Sequence, residues 1–246
     1  MATMNPRDHL AAVRREGEAL LTTAAPALTA AVPTCPGWSC ERLVGHIGRT
    51  WRWTAGWVTT GASPDLERAP AGADVVPWAR AGLDELVAVL DALDPAATVE
   101  TWLGPRPAAF WPRRMAMEAA LHRVDAQSAV GAVTPIDLPL AVDGVDELFE
   151  AVLLFAGTGD LDRRGQTVHL HATDPELADD DGAGEWLVTL DPDEVRLEHA
   201  HAKGDVAVRG PASDLYLLLW NRRGAEGLQV FGDERVLADW RTHVTV

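Results

Sequence analysis

The spacing at which apolar residues recur changes once along this chain, and that change limits what it can fold into. Through roughly the first 150 positions the recurrence is helical. Leu10, Val13, Leu20 and Leu21 stand among charges, and Leu43, Val44, Ile47, Trp51 and Val58 follow at the same period. Beyond that point QTVHLHAT, GEWLVTL, EVRLEHA and GDVAVRG alternate apolar with polar residues and are separated by Gly, Asp and Pro. A chain of 246 residues is long for one compact domain and suits two. The expected fold is α plus α+β: a four-helix bundle over residues 1–150, then a smaller α+β domain with a mostly antiparallel sheet over residues 151–246.

The first helix is expected within residues 8–31, ending near Pro26 or Pro33. Pro36 and Gly37 turn the chain, and Ser39 caps a second helix, although Arg42 stands where a full capping box wants Glu or Gln. WARAGLDELVAVLDAL supplies the third helix, and DPAATVETWLGPRPAAFW is a long connection into the fourth, WPRRMAMEAALHRVDAQSAVG. One or two linking helices are expected before the strands. After them PASDLYLLLWNRR reads as an amphipathic helix, GLQVFGD as a short strand or extended piece, and ERVLADWRTHV as a terminal helix.

With 37 acidic against 21 basic residues, the net charge of -16 repels a phosphate backbone and an anionic lipid surface, so neither nucleic acid nor membrane is an expected partner. Nothing calls for an obligate protein partner. Two cysteines, Cys35 and Cys40, are too few for a disulfide framework and lack the second pair of a zinc knuckle. The N-terminal stretch mixes acids with bases, and no later run is long enough to span a bilayer. A cytoplasmic protein is expected.

The fourth helix carries the chemistry. Met115, Glu118, His122, Asp125 and Ala129 fall at steps of three and four, so one stripe mixes apolar side chains with groups that hold or position a cation. His46 lies on the second helix beside Thr50, Trp53 and Trp57. Two imidazoles and a carboxylate suit zinc or another borderline divalent ion. An E-x-x-x-H pair alone is more often a solvated surface contact, and a lone His beside an apolar strip is more often a satisfied core residue. Against solvation, Met117, Leu121 and Val124 cover the other faces of the helix. Asp125 either orients His122 or pairs with Arg123 or a neighbouring helix. Trp53 and Trp57 either wall a cofactor pocket or pack the core. His169 with His171, and His199 with His201, share strand faces; a second metal site is weighed there, and cross-strand surface residues are preferred because the pairs lack a carboxylate partner. Arg222 and Arg223 end an apolar helix, where a basic cap is favoured by the dipole.

CPGWSCERLVGHIGRTWRW and WPRRMAMEAALHRVDAQSA resemble two signatures of the mycothiol-dependent maleylpyruvate isomerase family. VHLHATD, GEWLV and VRGPASDLYLLLWNRR are similar to its smaller domain, so the resemblance covers nearly the whole chain. It implies a DinB-like bundle, a C-terminal domain shaped like sterol-carrier proteins, and a metal triad of His46, Glu118 and His122. It also implies mycothiol as thiol cosubstrate, and an arginine of the second domain, Arg222 or Arg223, that holds a substrate carboxylate. In such isomerases the thiolate adds to a cis double bond, rotation follows, and elimination leaves the trans product; relatives transfer the sulfur to other electrophiles. The expected activity is therefore that of a divalent-metal-dependent S-transferase or isomerase on a small electrophile, with zinc as metal and Arg222 as the catalytic arginine. The alternatives are a non-catalytic metal- and ligand-binding protein, and a metal-dependent hydrolase in which water replaces the thiol.

Overall fold

A computed structural model of the chain describes residues 4–156, 159–177 and 183–244. They form two compact units, one ending at Thr134 and the other beginning at Pro135. Each is built around its own buried core.

In the first unit, α1 (Pro6–Ala24) starts on a complete capping box: the Asn5 side chain accepts from the Arg7 and Asp8 amides, and the Asp8 carboxylate accepts from the Asn5 amide. A short 3-10 turn over Ala25–Ala27, containing Pro26, closes it. α2 (Cys40–Thr60) begins where expected, with the Ser39 hydroxyl accepting from the Arg42 amide at 3.3 Å. α3 (Val75–Asp91) lies so close to α2 that a Cβ on Gly48 would stand 2.9 Å from that of Ala79, so only glycine fits there. The connection that reads as loop in the sequence contains a small antiparallel ladder, β1 (Thr98–Val99) with β2 (Arg106–Pro107), turned by Gly104 at φ 80° and by a Thr101 hydroxyl donating to the Gly104 carbonyl.

α4 (Phe110–Val130) is enclosed. Every residue from Trp111 to Ala126 is buried except Arg113 and Glu118, and Gly131 at φ 69° ends the helix. Such a helix must find partners inside the protein for each polar side chain it buries. Arg123 donates from Nε to Glu16 of α1 at 2.7 Å and from Nη1 to Gln127 and the Thr134 carbonyl.

The second unit begins with α5 (Leu138–Glu147), a π-helical turn (Leu148–Val152) and α6 (Leu153–Ala156). β3 (Gln166–Ala172), β4 (Glu185–Leu190), β5 (Val195–Glu198), β6 (Val206–Gly210) and β7 (Gln229–Gly232) make one sheet in the order β5-β4-β3-β6-β7. Only β3 and β6 run parallel; the other neighbours are antiparallel. Val168, Leu170, Trp186, Val188, Val206 and Val208 fill one face, which packs under α7 (Ala212–Leu219) and α8 (Glu234–His243). The expected division at residue 150 thus falls inside this unit. α5 belongs with the sheet: Gly144 seats the Tyr216 ring, where a Cβ would come within 2.7 Å, and Trp186 Nε1 donates to Asp146 at 2.7 Å. Among the described residues no helix is long and apolar enough to cross a membrane.

Glu16 and Arg123 are 5% and 4% exposed, and removing one member strands the other's charge indoors. Glu16→Ala is expected to cost about 3 kcal/mol of stability. Urea unfolding should show it as a lower midpoint, partly restored in the double variant with Arg123→Met.

Candidate metal centre

Three side chains converge in the first unit. His46 projects from the second turn of α2, which the Ser39 cap starts; Glu118 and His122 stand one turn apart on α4. Glu118 Oε1 is 3.2 Å from His122 Nε2 and 3.6 Å from His46 Nε2, and the two imidazole centroids are 5.0 Å apart. Donors bound to one tetrahedral zinc at 2.0–2.1 Å are separated by about 3.4 Å, so this set fits a divalent cation with little adjustment.

The surroundings fix each donor. His122 Nδ1 lies 2.8 Å from Oδ2 of the fully buried Asp125, so the proton sits on Nδ1 when the ring is neutral and the Nε2 lone pair faces the site. Asp125 is thus placed against His122, and Arg123, its alternative partner in the sequence, donates to Glu16. The second oxygen of Glu118 accepts from the buried Arg114, which the sequence reading passed over although it stands one turn before Glu118. Burial alone would raise the Glu118 carboxyl, but hydrogen bonds from His122 and His46 and the Arg114 charge outweigh it and hold it well below the ordinary range. Burial alone would lower His122; hydrogen bonds to Asp125 and Glu118, and their charges, push it up to about 9.

A cleft of about 820 Å³ opens beside His46, lined among others by Trp38, Glu41, Arg42, Arg49 and Arg68. Trp38 meets His46 edge to face at 5.0 Å and carries the Arg42 guanidinium over its ring. Arg42 and Arg49 stand four before and three after His46 on α2, as helical spacing places them, whereas Trp38 comes from the turn before α2 and Arg68 from the stretch 68–71, which spacing along a helix does not reveal. Trp53 and Trp57 stand farther along α2 in an aromatic cluster with Trp102, Phe110 and Trp111, and they do not line this cleft. Trp53 Nε1 donates to Ser63. Arg222, in the second unit, donates to the Trp220 carbonyl at the end of α7, and Arg223 pairs with Asp214.

Fold and site together define a two-domain protein whose helical first domain presents a two-histidine, one-carboxylate donor set. Residues 10–127 match the mycothiol maleylpyruvate isomerase N-terminal domain and residues 139–239 the MDMPI C-terminal domain. The chain belongs to the mycothiol-dependent maleylpyruvate isomerase family. Among solved structures it is similar to that of a mycothiol-dependent maleylpyruvate isomerase, with TM-score 0.60 and 15% identity over 94% of this chain and 95% of that one. A histidine-to-alanine mutant structure of a mycothiol-dependent maleylpyruvate isomerase gives TM-score 0.62 and 14% identity over the same shares. At these identities the likeness is one of fold. A search of curated proteins gave no match.

In the metal-free protein the raised His122 contributes stability that is complete below its unfolded value near 6.5 and is lost as pH climbs through about 9. A cation needs the unprotonated ring, so its affinity has the opposite slope, rising about tenfold per pH unit up to pH 9. Calorimetry of zinc binding in buffers of different ionisation enthalpy should register about one proton released at neutral pH. Asp125→Asn removes the anion that orients His122 and is expected to weaken zinc binding about 10- to 100-fold with the fold intact, as read by chelator competition.

Proposed function

We propose that this chain is a divalent-metal-dependent enzyme of the cytoplasm that uses mycothiol as cosubstrate and forms a carbon–sulfur bond to a small electrophile. It acts either as an S-transferase or, by breaking that bond again after rotation, as a cis–trans isomerase. The observation that carries the reading is the convergence of His46, Glu118 and His122 beside an open cleft. Zinc suits two imidazoles and a carboxylate, and three protein ligands leave room for a further donor. A divalent cation held there lowers the pKa of a thiol and so supplies a thiolate at neutral pH.

The chain's own residues hold and orient. Glu118 is engaged on both oxygens, by the imidazoles and by Arg114, and so serves as a ligand rather than a base. Asp125 keeps His122 in the tautomer that offers Nε2. Arg42, Arg49 and Arg68 give the cleft a basic wall in an otherwise acidic protein, which favours an anionic reactant. Arg222 is the proposed partner for a substrate carboxylate, on the strength of the family resemblance and the bidentate reach of a guanidinium.

The test begins with protein purified without a chelating tag. Elemental analysis should find near-stoichiometric metal in the wild type and its loss from His122→Ala. Thiol-dependent turnover, screened with mycothiol against maleylpyruvate and other small electrophiles, should fall in that variant by about a thousandfold, or roughly 4 kcal/mol of transition-state stabilisation. Metal without turnover on any electrophile would leave a ligand-binding protein; turnover with water in place of thiol would make it a hydrolase.

A further inference from the structure

We infer that the second unit carries a metal site of its own, in which His169, His171, Glu185 and His201 bind a borderline divalent cation such as zinc. All four donor atoms lie within 4.8 Å of one another. His169 Nε2 is 3.0 Å from Glu185 Oε2, His171 Nδ1 is 3.2 Å from Oε1, and His201 Nδ1 is 2.5 Å from Oε2.

The sheet itself builds three of the ligands. Alternation along β3 puts His169 and His171 on one face, opposite the buried Val168 and Leu170. Antiparallel register sets Glu185 of β4 directly across from His171, on that same face. This is the carboxylate that the His-x-His patterns lack in the sequence, since only strand pairing brings it to them. The fourth ligand comes from the loop after β5, and that loop is docked. The Asp205 side chain accepts from the Thr167 amide at 2.8 Å and hydroxyl at 2.9 Å, and Gly204 lies so close to β3 that a Cβ would stand 2.8 Å from the His169 nitrogen. His199, grouped with His201 by sequence spacing, goes elsewhere and faces Asp146 at 3.3 Å.

The chemistry of the set favours a cation. A dication accepts one lone pair from each imidazole and answers the Glu185 charge, whereas three protonated rings around one carboxylate would repel each other. Arg209, the parallel neighbour of His171 on β6, is an opposing charge at the site, weakened but not removed by its exposure to solvent. Four protein ligands close a tetrahedral shell, the arrangement of structural rather than catalytic sites. His169 is buried and the His201 side chain is 78% exposed, so the sheet residues form a rigid platform and His201 closes over it. The bound ion would fasten the loop carrying His201 to β3. This inference is independent of the activity proposed for the bundle site.

The experiment is a titration of the metal-free full-length chain with Co(II) and Zn(II), following cobalt absorption for tetrahedral coordination and zinc by chelator competition. Two equivalents are expected in the wild type. One should remain in His122→Ala, which keeps the second-unit site, and one in His171→Ala and Glu185→Gln, which keep the bundle site. His201→Ala, an exposed loop change that spares the fold, should weaken the second equivalent at least tenfold and abolish its tetrahedral spectrum. A single equivalent in the wild type that His122→Ala removes would overturn the inference. So would two equivalents that none of the second-unit substitutions alters, or a second equivalent that binds only at millimolar metal.

Discussion

α4 is closed in by its neighbours on almost every side, and each ionisable side chain it buries is answered by another. Arg123 meets Glu16 of α1, Arg114 meets Glu118, and Asp125 meets His122. A charge left alone at that depth would cost several kcal/mol, so the first unit gains much of its stability by keeping these pairs together. The candidate metal centre is the exposed end of this internal network. Glu118, only partly buried, and the buried His122 stand one turn apart on this helix, and His46, which lines the cleft, reaches them from α2. Stability and site geometry therefore rest on the same set of contacts.

The second unit solves a different problem. Its sheet buries one face under helices and leaves the other partly open, so polar side chains on β3 and β4 are brought into register where they can act together. α5 completes the apolar cover through Gly144 and Tyr216 rather than extending the bundle.

Much of this was legible in the sequence, and the gaps have physical causes. The change from helical to alternating period located the strands, and Ser39 marked the start of α2 because an N-cap is a local device. Glu118 and His122 could be paired because helical spacing fixes neighbours four apart. The domain division was not legible in the same way: α5 has the same apolar period as the bundle helices, and nothing local says which core it covers. β1 and β2 are two residues each, too short for any alternation to register. Trp38 at the cleft wall and Glu185 among the histidines depend on contacts made by folding, one through a turn and the other through strand register. Spacing along α2 suggested Trp53 and Trp57 for a pocket, but their rings pack with Trp102 and Trp111.

A helix sealed along most of its length has almost no surface on which to vary. Substitutions in α4 meet packed neighbours at nearly every position, so the candidate ligands Glu118 and His122 have little room to vary. The cleft wall has the opposite character, since Trp38 and the stretch 68–71 sit outside the helices and can change without disturbing the paired charges beneath. A change in what the cleft admits, whether selected or engineered, would therefore arise by rewriting that wall while the paired charges underneath stay fixed.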